Sequence, residues 1–205
     1  SIDSKRLRLT AAEGSKKSSA WVNTMQINPS ENWGVAYVGS ISFPSSNSAD
    51  GLAFHIQKVG TSLDAMENHA KDNLDALTVV VQTWNTNYFR AYANKVLLGE
   101  TEINGLQIVN DNNSPFNIDI TYDAATTTLS IELYQASTDL HIIRHYTVDL
   151  SAALGTTSDY YVGFSARTGW QTENHDVLAF DLVIPTVITA STVTTQAVTF
   201  IGATI

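Results

Sequence analysis

Residues 162–178, VGFSARTGWQTENHDVL, together with residues 49–54, ADGLAF, decide the fold of this chain. In the first stretch VGFSA closes a candidate strand from Tyr160 to Ala166, a Thr-Gly pair ends it, and a polar loop leads into a second strand from Val177 to Ile184. In the other, Gly51 opens a strand running to Gln57. Runs rich in Val, Ile, Thr, Tyr, Phe and Trp, punctuated by Gly, Asn, Ser and Asp, form the pattern of an all-β domain.

The same pattern runs outward through the chain. Further candidate strands are Arg6 to Thr10, Ala20 to Gln26, Val35 to Phe43, Leu77 to Trp84, Tyr88 to Leu97, Phe116 to Tyr122, Thr128 to Tyr134 and Leu140 to Val148. Phe116, Ile118, Ile120 and Tyr122 alternate with Asn117, Asp119 and Thr121, so one face of that strand packs and the other is wet. Leu129, Ile131 and Leu133 repeat the alternation after the turn Asp123 to Thr127, which reads as a hairpin. One segment departs: Leu63, Met66, Ala70 and Leu74 fall at helical spacing behind Ser62, which predicts a short surface helix over Ser62 to Leu74.

Composition bounds function. A chain of 205 residues that is 43% apolar suits one sandwich domain with a sizeable core. Eleven basic residues against twenty acidic ones leave a net charge of −9, which argues against nucleic acid as a partner. With no cysteine there is neither a disulfide framework nor a thiolate metal site. The start, Ser1 to Lys5, has no initiator Met or apolar signal core and reads as a processed end. Residues 182–205 carry no charge, yet Pro185 and the many Thr and Ser residues argue against membrane insertion. The division expected is a sandwich over residues 1–185 and a Thr- and Val-rich tail or strand over 186–205.

ADGLAF and VGFSARTG, with LRLTAAEGSKKSSAWV, VAYVGSISF and FNIDITYDAATTTLSIEL between and before them, resemble the L-type (legume-type) lectins from about Leu7 to about Leu182. The resemblance implies an antiparallel β-sandwich of the jelly-roll, concanavalin A-like kind, and an extracellular carbohydrate-binding role with glycan as partner. It also implies that Asp50 follows a cis peptide and accepts hydrogen bonds from sugar hydroxyls, and that Trp170 and Gln171, just after the S-A-x-T-G turn, line the sugar site. A Trp there either stacks on the apolar face of a pyranose or covers the end of the core, while Gln offers a donor and an acceptor. Glu173, Asn174, His175 and Asp176 resemble the loop back into the final strand, where turn and cap roles are expected.

The chain departs from the family where the paired metals sit. The glutamate position is Thr83 and the aspartate position Asn85, and Thr83 to Tyr88 reads as a tight turn in place of the ligand loop. Neutral Asn and Thr side chains cannot assemble the charge of a tight calcium site, so no metal or other cofactor is expected. Asn85 and Asn87 are instead candidate hydrogen-bonders to sugar. The Gly-rich sugar-binding turn after ADGLAF is also replaced, by Gly60 and the segment from Ser62.

Family members begin with an apolar strand that this chain starts too late to contain, which leaves an open sheet edge. Val193 to Ile201 is a candidate to fill it, within its own chain or by strand donation to a neighbour; the tail as a mere linker is the other reading. Catalysis is not expected. Glu100 and Glu102 are the only close glutamate pair on a plausible strand end, and exposed charges near a turn explain them. His141 and His145 lie on a strand ~13 Å apart, too far to chelate, and His55 and His69 are solitary, so local hydrogen bonds are expected. Asn112-Asn113-Ser114 is a glycosylation sequon weakened by Pro115. Two function classes remain: a lectin-like domain with a reduced, metal-independent sugar site, or a structural or adhesive subunit of a surface or filament that keeps the sandwich without sugar binding.

Overall fold

The structure, a computed structural model, describes residues 2–3, 6–42, 49–62, 76–108, 114–156, 160–184 and 200–201. These form two seven-stranded antiparallel sheets. The first has the order β1 (Ile2–Asp3), β2 (Arg6–Thr10), β13 (Asn174–Val183), β4 (Trp33–Ser42), β9 (Phe116–Asp123), β10 (Thr128–Gln135) and β11 (Leu140–Thr147). The second runs β14 (Phe200–Ile201), β3 (Lys17–Ile27), β12 (Tyr160–Arg167), β5 (Gly51–Gln57), β6 (Ala76–Gln82), β7 (Tyr88–Ala93) and β8 (Val96–Glu102).

The alternation in the sequence explains how the layers meet. Phe116, Ile118 and Ile120 of β9 and Leu129, Ile131 and Leu133 of β10 turn inward, paired in the register Tyr122↔Leu129, Ile120↔Ile131 and Ile118↔Leu133. They face Leu52, Phe54 and Ile56 of β5 and Val162, Phe164 and Ala166 of β12. Aromatic rings bridge the layers: Tyr37 of β4 lies edge-on to Phe164 with centroids 5.0 Å apart, and Phe180 of β13 meets Phe164 at 5.4 Å. Each fully buried Phe side chain contributes roughly 1.5–3 kcal/mol to this core.

Several expectations are adjusted. Tyr88 to Leu97 is not one strand but a hairpin, because Asn94 and Lys95 take φ of 47° and 68° and turn β7 into β8. The final strand starts earlier than Val177, at Asn174. A short helix, α1 (Leu150–Leu154), was not legible as one; Asp149 caps it by accepting from Ala152 N at 2.9 Å. The helix expected over Ser62 to Leu74 lies, apart from Ser62, outside the described residues, as do His69 and the sequon at Asn112 and Asn113. Of the tail strand expected over Val193 to Ile201, Phe200 and Ile201 are described, and they pair antiparallel with Val22 and Trp21 of β3 in their own chain.

The described histidines outside the site behave as local hydrogen-bonders. His55, fully buried, meets Ser165 Oγ at 2.7 Å and Thr78 Oγ1 at 3.0 Å on neighbouring strands. His141 and His145 both lie on β11 and reach across to Glu132 (2.6 Å) and Ser130 (2.8 Å) of β10. Glu100 and Glu102 stand opposite Arg90 and Tyr88 and bond to them across the β7–β8 ladder.

Candidate functional site

One end of the second sheet is built from strand termini. Asp50 precedes β5, Arg167 closes β12, and the two are joined by the backbone bond Asp50 N–H to Arg167 C=O (2.8 Å). Thr83, just past β6, donates its N–H to the Asp50 carbonyl at 3.0 Å. The Ala49–Asp50 peptide is cis, as the resemblance implies. Gly51 takes φ of 136° and lies so close to β6 that a Cβ there would stand 2.2 Å from the Val81 carbonyl oxygen. The turn after β12 is held from the other side: buried Thr168 accepts from Lys16 N–H (2.9 Å) and donates to the Glu13 carbonyl (2.5 Å), and Gly169 accepts from Ser15 N–H (3.0 Å). That clamp presents Trp170 and Gln171.

These elements border a pocket of about 590 Å³ lined by Ala49, Asp50, Val80, Gln82, Trp84, Arg90, Tyr92, Arg167, Gly169, Trp170 and Gln171. Asp50, Trp170 and Gln171 therefore converge in space. Trp170 is fully exposed and Trp84 more than half exposed, so Trp170 does not cover the core. Asn85 and Asn87 do not line the pocket: Asn85 sits exposed on the turn between β6 and β7 with φ of 67°, beside the partly exposed Asn87.

The sequence reading missed Gln82, Trp84, Arg90, Tyr92 and Arg167. Arg90 and Tyr92 alternate with the core residues Phe89, Ala91 and Ala93, a signal that places them on the outer face but does not name what they face. Arg167 occupies the free position of the S-A-x-T-G turn. Its Nε lies 3.4 Å from Asp50 Oδ2. Burial pushes the Asp50 carboxyl above the usual carboxylate range; the Arg167 guanidinium opposes this, Glu173 adds to it and His175 opposes it. Arg90 donates from Nε to Glu100 (3.0 Å) and from Nη1 to Gln82 (2.5 Å), and lies 4.4 Å over the Tyr88 ring.

Behind the pocket is a buried polar chain. Thr83 Oγ1 donates to Glu173 Oε1, which also lies 2.7 Å from His175 Nε2, while His175 Nδ1 meets Thr10 Oγ1 at 2.5 Å. Glu173 and His175 are completely buried. With Glu173 ionised, Nε2 must carry a proton, and a neutral ring then accepts from Thr10 at Nδ1. Asp176, also completely buried, accepts two bonds from Arg8 at 2.8 Å each, and Arg6 lies 3.6 Å away. Glu173 to Asp176 are structural, as expected, but through buried hydrogen bonds and an ion pair rather than as turn and cap residues; three of the four are buried, and Asn174 accepts from Ala12 N–H (2.9 Å).

A two-sheet jelly-roll sandwich with an Asp-bearing strand start and a Trp-bearing turn at one end defines a lectin-type domain. The chain belongs to the legume lectin domain family, whose profile matches residues 93–195, just over half of its length. These are carbohydrate-binding domains rather than enzymes, and the family is typically secreted or extracellular. Solved structures of the same fold include the lectin I from Ulex europaeus in complex with the methyl glycoside of α-L-fucose (TM-score 0.73, 17% identity, 88% of this chain and 87% of that one). Basic winged bean lectin with Tn-antigen (0.70, 22%, 90% of each) and arcelin-5, a lectin-like defense protein from Phaseolus vulgaris (0.69, 21%, 89% and 88%), are similar to the same degree. No curated protein matches the sequence. Among the described residues no helix is long and apolar enough to cross a membrane.

Proposed function

We propose that this domain binds carbohydrate outside the cell at the Asp50–Trp170 pocket, without a metal ion. The observation that carries the reading is the convergence of Asp50, Gln171 and two exposed tryptophans, Trp84 and Trp170, on one pocket. Tryptophan faces suit the apolar side of a pyranose, and Asp50 and Gln171 suit its hydroxyls. The positions that resemble the metal ligands do not fit a metal: Thr83 spends its hydroxyl on Glu173, and Asn85 is a neutral side chain on an exposed turn. Support for the ADG strand start comes instead from Thr83 N–H, the Arg167 carbonyl and the Arg167 guanidinium.

Glycan-array binding with and without a chelator tests this. Binding that survives the chelator and is lost in Asp50→Ala and Trp170→Ala, with folding retained, is the expected result; binding lost to the chelator refutes metal independence. The structural or adhesive alternative draws support from Phe200–Ile201, which run beside β3 at the edge of the second sheet. A tail-truncated protein that keeps its oligomeric state and stability refutes both strand-filling versions.

A further inference from the structure

The pocket has a charge unlike that of the molecule. The chain carries −9, with eleven basic residues against twenty acidic ones, yet the pocket lining holds two arginines and one acid. Neither guanidinium is used up. Arg167 is engaged only at Nε, by Asp50, and among the described residues its two terminal nitrogens have no hydrogen-bond partner. Arg90 is held from behind by Glu100, Gln82 and the Tyr88 ring, which leaves Nη2 without a partner among the described residues. The Arg167 side chain is one-third exposed and that of Arg90 about one-fifth, so both cations are partly desolvated and fixed rather than waving in solvent. Guanidinium groups are donors only, and their planar fork matches a carboxylate.

Resting on the carbohydrate-binding reading, we propose that the pocket selects a carboxylate-bearing saccharide, of the uronic or sialic acid class. Its carboxylate takes the free N–H groups of Arg167, assisted by Arg90, while ring hydroxyls meet Asp50 and Gln171 and the ring lies against Trp170 or Trp84. Asp50 serves two purposes in this arrangement: it accepts from hydroxyls and, through Nε, aims the outer edge of the Arg167 fork at the ligand. Long-range attraction cannot supply the selectivity, because the net charge repels anions; it must come from contact in the pocket.

The test uses the intact protein and matched ligands that differ at the carboxylate: oligogalacturonate and sialyllactose, each against the same oligosaccharide after reduction of its carboxyls. Titration calorimetry at low and high salt gives the ratio of affinities. The acid member of at least one pair is expected to bind tenfold or more tightly than its neutral counterpart, the scale of a charge-assisted bidentate bond, and the pair that shows it identifies the source of the carboxylate. Added salt should shrink the ratio. In Arg167→Gln the ratio should fall toward one, with Arg167→Lys between, because a lysine keeps the charge and loses the fork. Neutral members bound as tightly as acidic ones, or a ratio that survives both Arg167→Gln and Arg90→Gln, overturns the proposal and leaves the lectin reading standing. Failure of all four ligands and of a broad neutral array overturns both. Should Arg167→Gln fail to fold, the wild-type ratio and its salt dependence decide alone.

Discussion

Replacement of Gly51 by alanine should cost more than any other single methyl group added near the site. Gly51 has φ of 136°, a region that L side chains rarely occupy, and occupying it costs about 1–3 kcal/mol. The new Cβ would also stand 2.2 Å from the Val81 carbonyl oxygen and 2.9 Å from the Gln82 Cα, against an optimum near ~3.5–4.0 Å. Both obstacles are backbone, so no rotamer change relieves them, and β5 must part from β6; overpacking of this kind adds about 1–3 kcal/mol. Gly60 supplies the control. Its φ is 124° and nothing lies within 4 Å of its would-be Cβ, so Gly60→Ala carries the strain without the collision. Urea unfolding of both variants, with unchanged m, should place Gly51→Ala about 2–6 kcal/mol below wild type and Gly60→Ala about 1–3 kcal/mol below. Because Asp50 is the preceding residue and its carbonyl is held by Thr83, Gly51→Ala should also lose glycan binding. Equal losses in the two variants would refute the claim that close strand approach, and not φ alone, demands glycine in this motif.

Trp170 is fully exposed, so Trp170→Ala should leave urea stability within about 0.5 kcal/mol while lowering glycan affinity roughly tenfold or more; a large stability loss would return Trp170 to the core. The Asp50 carboxyl is raised chiefly by burial, so its contribution to stability is present below the unfolded value near ~3.9 and lost as pH rises through the higher folded value. Asp50→Asn should therefore be at least as stable as wild type at pH 7, with its advantage vanishing below that unfolded value, and wild-type glycan binding should weaken as pH falls through the raised value; denaturant curves and titrations across pH 3–7 check both. Asp176→Asn removes the charge that accepts two bonds from Arg8 and faces Arg6, which should cost about 2–4 kcal/mol given the partial exposure of both arginines; a loss under ~1 kcal/mol by urea unfolding would show the ion pair to be idle.

Periodicity was enough for the all-β reading and its strands, because each strand carries its own instructions; the jelly-roll sandwich itself came from the resemblance to the L-type lectins. Phe116, Ile118 and Ile120 point one way in any antiparallel sheet, and their register with Leu129, Ile131 and Leu133 follows from a short turn. The break at Asn94–Lys95 was hidden because apolar residues continue on both sides of it, and only the tolerance of Asn for positive φ hinted at a turn. The helix Leu150–Leu154 is too short to show a period. The site was half legible. Asp50, Trp170 and Gln171 stood in stretches with a recognisable pattern, whereas Arg90 and Arg167 reach the pocket from β7 and β12, and no local spacing tells that two outward-facing arginines meet. Asn85 and Asn87 lie on the turn that follows the pocket residue Trp84, outside the pocket lining itself, and sequence proximity alone does not tell whether such neighbours reach a ligand.

The buried polar chain explains how a strand start can be held steady at the edge of a core. Thr10 and His175 face each other across β2 and β13 in the first sheet, whereas Thr83 directly follows β6 of the second. The Thr83–Glu173 bond therefore passes from one sheet to the other, and the backbone of the same Thr83 grips the Asp50 carbonyl. Apolar packing alone resists separation of the sheets but is indifferent to direction, so it cannot specify where a carboxylate points. Directed hydrogen bonds between groups removed from water can, because each group left unmatched would cost about 1–3 kcal/mol. The position of Asp50 is thus set by two contacts with separate origins: Thr83, anchored through Glu173 to the first sheet, and Arg167, fixed by β12. A pocket framed in this way is positioned by the protein's own side chains and backbone, and that is the physical condition for selectivity to rest in Arg167 and Trp170.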